Sequence, residues 1–213
     1  MGKATKIINK VFTAWNYDKE EDFLFNQSLN GWELIRGGCF YSKYNRNNEK
    51  VFKYKVDFNP LGKDFNKKRL YVDIFEDQGW EYINSTFNGW HYFKKEYRPE
   101  LPEEEYDVYT DRTSLIEMRN RWVKISRVIQ IAMLLFSICF LIIATNGHNK
   151  GMLINALLYS FGNLLLLFGI SKMRLEDEEV SQTRKIINIL SLIISIAVIV
   201  GCIMIILFYL YKS

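Results

Sequence analysis

Histidine, cysteine and proline are scarce in this 213-residue chain, with two, three and three copies. Cys39, Cys139 and Cys202 are too few and too scattered for a disulfide framework or a zinc site. Cys139 and Cys202 also fall inside apolar runs, where a free Cys behaves as a small hydrophobe. With only His91 and His148 there is no paired-His metal motif and no evident Ser-His-Asp set, so neither a metal nor another cofactor is expected. The chain has no Gly-x-x-x-x-Gly-Lys-Ser/Thr loop and no Gly-x-Gly-x-x-Gly fingerprint, which leaves nucleotide hydrolysis and dinucleotide chemistry without support. A basic excess is missing where a nucleic-acid binder would concentrate it. Of the 28 Lys+Arg and 24 Asp+Glu, 21 and 20 fall within residues 1–125, so no nucleic-acid partner is expected. Residues 1–20 contain no apolar segment of signal-peptide type and already carry Trp15, Asp18 and Glu20.

What the chain does have is three long apolar runs, at 128–145, 152–171 and 186–211. Each reaches or approaches the ~20 residues that a helix needs to cross a hydrocarbon core of ~30 Å. Arg119, Arg121, Lys124 and Arg127 precede the first run, and Lys172, Arg174, Arg184 and Lys185 lie between the second and third. The first-to-second loop has one Lys and the tail has Lys212. Positive-inside bias therefore places the N-terminus in the cytoplasm and the C-terminus outside, in agreement with an odd number of spans. The expected location is a bacterial inner membrane crossed three times, with the lipid bilayer as a partner. Polar residues within the runs are mild: Gln130, Asn155, Asn163, Ser191 and Ser195. None is ionisable, so a proton relay or ion path of the usual kind is not expected. Asn155, Gly162 and Gly169 recur at seven-residue spacing on the second run, and Ala197 and Gly201 make a small-xxx-small pair on the third. These are candidates for close helix packing, within the bundle or between copies.

The piece before the first run divides further. Residues 98–126 read as a linker followed by an amphipathic juxtamembrane helix. RPELPEEEYDVYTDR has two prolines and an acidic run, and Ser114-x-x-Glu117 has capping-box spacing. Leu115, Met118, Trp122, Ile125 and Ile129 then form an apolar stripe into the membrane segment. Residues 1–97 read as a duplicated α/β domain. GWELIRGGCFYSKY at 31–44 is echoed by GWEYINSTFNGWHYFKK at 79–95. A strand is expected at 10–15 (KVFTAW), then a helix opened by the capping-box pattern Asp18-x-x-Glu21 and closed at Gly31. Strands at 32–36 and 40–44 follow. The second half repeats the order with a strand at 51–58, whose VFKYKVDF alternates with period two. A helix ending at Gly79 and strands at 80–84 and 90–94 around Asn88-Gly89 complete it. Gly-Trp-Glu is thus the junction where each helix stops and its hairpin starts. Two strand-helix-strand-strand units imply an α+β domain with a mainly antiparallel six-stranded sheet and two helices, followed by three transmembrane α-helices.

This topology resembles the duplicated modules of GyrI-like and SOUL-type ligand-binding domains, an analogy of architecture that assigns no function. AWNYDKEEDFLFNQSLNGWELI, VFKYKVDF, YVDIFEDQGWEYI, GWHYFKK and YTDRTSLIEMRNR, in that order, are similar to the bacterial domain-of-unknown-function family 2812 over about residues 10–122. The resemblance implies trailing hydrophobic helices and genomic proximity to PadR-type repressors. It implies no biochemical activity and no catalytic residue.

Candidate contacts for a ligand or partner are the polar strand residues Glu33, Lys53, Lys55, Asp57, Glu81 and His91, expected on exposed faces. Glu33 and Glu81 occupy equivalent places in the two units and would face one another across a pseudo-twofold. Paired carboxylates can perform acid–base work when their pKa values are pushed apart, although duplication alone produces such a pair. Trp15, Trp32, Trp80 and Trp90 would serve as core or as a ligand cage. The expected function is a non-enzymatic, regulatory membrane protein whose cytoplasmic module binds a small molecule, a membrane protein or a PadR-type regulator, with oligomerisation open. The alternatives are an accessory subunit of a membrane complex or transporter, and an enzyme using Glu33 and Glu81.

Overall fold

A computed structural model describes residues 4–62, 64–109, 112–147, 150–174 and 182–212. His148 and most of the charged loop between the second and third apolar runs lie outside the described residues. The chain divides into two compact units, Met1–Trp122 and Val123–Ser213.

The first unit is an α+β fold with six strands and two helices. Its elements run β1 (Thr5–Ile8), α1 (Tyr17–Leu29), β2 (Trp32–Arg36), β3 (Ser42–Arg46), β4 (Phe52–Phe58), α2 (Phe65–Glu76), β5 (Glu81–Ser85) and β6 (Trp90–Glu96). The duplication is visible in the strand order: β1-β3-β2 forms one antiparallel sheet and β4-β6-β5 the other. The six strands therefore make two three-stranded sheets and not one continuous ladder. In β2 the register slips between Leu34 and Arg36, and in β5 between Tyr82 and Asn84, at equivalent places in the two repeats. A bulge bends its strand and raises the local twist, so the two edges do not run on as partners. They are joined instead by side chains. The Asn84 amide accepts from Gly37 N–H (2.8 Å) and donates to Gly37 C=O (2.9 Å), as a neighbouring backbone would. Leu34 N–H donates to Tyr54 Oη at 2.9 Å.

The strand expected at 10–15 is displaced. The β-branched stretch TKII pairs with β3, from Thr5↔Asn45 to Ile8↔Ser42, and Ala14–Asn16 forms a 3-10 turn that leads straight into α1. Asp18 is consequently inside the first turn of α1 and caps nothing, whereas α2 has a side-chain cap: Asp64 accepts from the N–H groups of Asn66 and Lys67. Both helices end as the repeat requires, with Gly31 and Gly79 at φ +78° and +79°. Helix α1 also covers the open edge of β4. Ser28 Oγ accepts from Phe52 N–H and Glu21 Oε1 from Val56 N–H, each at 2.8 Å, which satisfies two edge donors and denies them to another strand. Below the second sheet, Phe75 stacks on Phe93 at 3.9 Å, and Tyr71, Trp80, Tyr106 and Val108 complete that core. Tyr106 and Val108 come from the stretch read as a linker. There a 3-10 turn, Glu103–Tyr106, packs back on the domain, and Tyr106 Oη accepts from Arg98 N–H at 2.8 Å.

Helices α3 (Arg112–Gly147), α4 (Lys150–Arg174) and α5 (Gln182–Lys212) follow. Ser114 lies inside α3, two residues past its first described residue. Three segments, Thr113–Asn146, Gly151–Arg174 and Lys185–Phe208, are long and apolar enough to cross a membrane. Within Val123–Ser213 the burial is inverted relative to a water-soluble bundle. Leu153, Ala156, Ser160, Asn163, Leu167 and Ile170 make the buried face of α4, while Ile154, Leu158, Phe161 and Phe168 point outward. The polar atoms sit inside: Gln130 Nε2 donates to Asn163 Oδ1 (2.8 Å) and Ser191 Oγ (2.5 Å), and Asn163 donates to Ser195. Ser137 and Ser160 share a further bond of 2.5 Å. Interhelical polar contacts and an apolar exterior are what a helix bundle adopts when hydrocarbon is its solvent.

Candidate functional site

The sequence-derived candidates fall in three separate places. Glu33 and Glu81 are brought together, through Lys94. Its Nζ lies 2.6 Å from Glu33 Oε1 and 3.0 Å from Glu81 Oε1, and Asn47 donates to the other oxygen of Glu33 at 2.8 Å. Burial works against the charge on Lys94, but the two carboxylates outweigh it and hold the amine above its ordinary value. One ammonium between two carboxylates is a cross-brace between the repeats. Lys53 and Lys55 line a second, polar cleft of about 180 Å³. Lys53 pairs with Glu103 at 2.9 Å and lies 4.2 Å from the Phe25 ring centre. Lys55 pairs with Glu21 at 3.2 Å. Burial opposes charge on Lys55 as well, yet Glu21 keeps its amine above the usual value.

Asp57 and His91 are buried, at 1% and 3% exposure, and not on an open strand face. They are cross-strand partners beneath α2, which covers the face that alternation alone left open. Asp57 accepts from Tyr71 Oη at 2.5 Å and from Tyr109 Oη, and Arg121 Nη2 lies 3.7 Å away. Burial and then the Asp57 charge push both phenols up, so they remain donors. His91 Nε2 meets the Asn59 carbonyl at 2.9 Å, which makes that nitrogen the N–H. Burial lowers the His91 pKa and keeps the ring neutral. The arrangement locks α2, the strands and residues 109 and 121 together.

Among the helix-packing candidates, Gly162 sits against α3: a Cβ there would lie 3.1 Å from Met133 Sδ. Gly169 is buried, Asn155 is half-buried at the flank of the α4 contact face, and Ala197 faces outward. A Cβ on Gly201 would make ordinary contact with Leu141 at 3.7 Å.

The cleft with the most distinctive chemistry contains none of the polar strand candidates. It holds about 170 Å³, room for on the order of ten water molecules. Its walls are Phe12, Tyr17, Trp90, Tyr92 and Trp122, with the Gly38–Phe40 turn at its rim. Trp90 is held by Tyr17, stacked at 6.1 Å, and by Phe58 at 5.2 Å. Tyr92 can occupy its place because residue 37 is glycine: a Cβ there would lie 2.5 Å from the Tyr92 ring carbons. The polar end is Glu20, from the first turn of α1, whose Oε1 accepts from Tyr92 Oη at 2.8 Å. Burial raises the Glu20 carboxyl to about 7; the Tyr92 bond acts in the other direction and the neighbouring Glu21 charge adds to the rise. Cys39 Sγ approaches Asn88 Oδ1 at 3.4 Å, and burial, with the Glu20 charge, keeps it a thiol. Tyr17 Oη accepts from Arg119 Nε and Nη2 at 3.2 and 3.1 Å, yet burial still lifts its pKa. Aromatic faces around one half-buried carboxylate suit recognition of a small molecule more than turnover.

Of these residues only Trp90 was singled out as a cage candidate by sequence, and it alone of the four tryptophans named there lines the cleft. The available signal was the Trp90-x-Tyr92 alternation on β6, which sets both rings on one face. Nothing local marks Glu20. A family model described as "Protein of unknown function (DUF2812)" matches residues 16–131, more than half of the chain. No curated protein and no solved structure matches it.

Proposed function

The chain belongs to the DUF2812 family, and from that premise we propose that its α+β domain is a regulatory binding module for a small molecule, tethered to a membrane by α3–α5. The observation that carries this reading is the cleft of about 170 Å³ that places Glu20 among Tyr17, Trp90 and Tyr92. The reading is of a module that works without catalysis, supported by the protonated state of the Cys39 thiol, which burial and the Glu20 charge hold away from the nucleophilic thiolate. The basic residues Arg119, Arg121, Lys124 and Arg127 before the first span support a cytoplasmic module in a bacterial cell membrane, with the C-terminus outside.

The test is affinity selection. Full-length protein in detergent is incubated with a cell metabolite extract, and retained small molecules are identified by mass spectrometry against a Gly37→Ala variant. Alanine at 37 drives into the Tyr92 ring and displaces this part of the lining, so a molecule retained by the parent and lost from the variant is the expected result. Equal retention by both, or none by either, would remove the basis of the reading.

A further inference from the structure

The charges of the domain single out one group. Its other half-buried or buried carboxylates of known pairing each have a cation: Glu33 with Lys94, Glu21 with Lys55, Asp57 with Arg121. Glu20 is the exception. Among the described residues it has the Tyr92 hydroxyl as a donor and no lysine or arginine in an ion pair. It stands in a cleft lined also by the aromatic residues Phe12, Tyr17, Trp90, Tyr92 and Trp122, whose ring faces carry a negative quadrupole potential, and by small and neutral residues such as Ala14, Gly38 and Cys39. Faces of Trp and Tyr around a lone carboxylate attract positive charge and do not compensate negative charge.

We infer that the occupant of this cleft is a small organic cation, an ammonium or quaternary ammonium compound, held among the aromatic rings that line it with Glu20 as its counter-ion. The inference rests on the reading of the cleft as the ligand site and adds the chemistry of the ligand. An anionic ligand would be repelled by the Glu20 carboxylate, and a neutral one would leave the carboxyl to protonate and would draw nothing from its charge. The groups facing Glu20 are consistent with this sign. Tyr92 from β6, Tyr44 from β3 and Cys39 from the β2–β3 turn are all raised by burial and stay neutral, and Glu21 on α1 adds negative charge. Two basic groups lie on rings of the lining: Lys10 Nζ is 4.8 Å from the Phe12 ring centre, and the Arg119 guanidinium, 5.9 Å from the Tyr17 ring centre, donates to the Tyr17 hydroxyl.

The test uses two probes of equal shape, benzyltrimethylammonium and its uncharged carbon isostere neopentylbenzene, titrated into full-length protein in a maltoside detergent with tryptophan fluorescence as readout. The cation is expected to bind at least ten-fold more tightly than the isostere. Glu20→Gln should remove at least ten-fold of the cation's affinity and leave the isostere unchanged. On the parent protein alone, cation affinity should rise between pH 5.5 and 8.5 while isostere affinity stays flat, a measurement that needs no variant. Equal binding of both probes, insensitive to Glu20→Gln and to pH, would overturn the cationic ligand and leave the cleft standing as a site. Binding of neither probe would also overturn it. In that case the metabolite selection separately decides whether the cleft binds anything.

Discussion

At the scale of single residues, Glu20 carries the most chemistry and was the least legible. Its partner Tyr92 is 72 residues away, and the contact depends on Gly37, so three segments must assemble before the site exists. A period-two pattern reports which strand residues share a face and says nothing of what covers that face. For this reason Asp57 and His91 looked exposed in sequence, although α2 and Tyr109 bury them. The Glu20 environment has a measurable consequence. Its carboxyl titrates at about 7 in the folded domain against an ordinary 4.5. Between these values the folded state binds more protons than the unfolded state, so stability is complete at low pH and is lost as pH rises toward and past 7. Glutamine keeps an acceptor for Tyr92 and has no charge to bury. Glu20→Gln should therefore melt close to the parent at pH 5 and above it at pH 8, by about 1–2 kcal/mol once hydration of the cleft is discounted. Thermal unfolding of both proteins across pH 5–8 checks this. A gap that does not change with pH would place Glu20 in an ordinary solvated setting.

At the scale of elements, the repeated Gly-Trp-Glu was a reliable guide because it encodes a backbone conformation. Gly31 and Gly79 follow the ends of α1 and α2 at nearly the same positive φ. The equivalent bulges in β2 and β5 continue the repeat into the hairpins. The division into two sheets was not legible, since the Asn84–Gly37 bridge depends on how the hairpins meet. The β1 segment was missed because TKII is short and its partner, β3, is 34 residues or more downstream. Alanine at either glycine is strained by the left-handed conformation, at roughly 1 kcal/mol. At Gly31 the new Cβ would meet Asn48 Oδ1 and Arg46 Cζ, the ends of exposed side chains that can swing aside, and at Gly79 the nearest atom is Lys95 Cε at 3.6 Å. Gly31→Ala and Gly79→Ala should thus lower the unfolding midpoint by similar amounts. Denaturant titrations of the two variants compare them directly, and no loss in either would argue against the cap geometry.

At the scale of the whole molecule, the apolar runs were plain from sequence because length and composition suffice to identify a span. What composition cannot give is which side of each helix faces its neighbours. The α4 contact face runs through Ala156, Ser160 and Asn163, one position along from the Asn155/Gly162/Gly169 row. Its polar centre, Gln130 with Asn163 and Ser191, is an interhelical network of the kind worth about 0.6–2 kcal/mol per bond in hydrocarbon. Asn163→Leu removes bonds to both α3 and α5 and leaves the Gln130 amide short of a partner. The variant should lower the unfolding midpoint of the full-length protein in sodium dodecyl sulfate titrations. An unchanged midpoint would mean that apolar packing alone holds the bundle.

The central claim, that the cleft beside Glu20 is where this protein binds its ligand, is tested most directly by hydrogen exchange. Full-length protein in nanodiscs is compared with and without a pooled metabolite extract, with exchange read by mass spectrometry over the whole chain. Slower exchange confined to residues 11–20, 38–40 and 88–92, which contribute the walls, is the expected result. Protection at residues 53–55 and 103–107, around the Lys53–Lys55 cleft, or no protection anywhere, would contradict it.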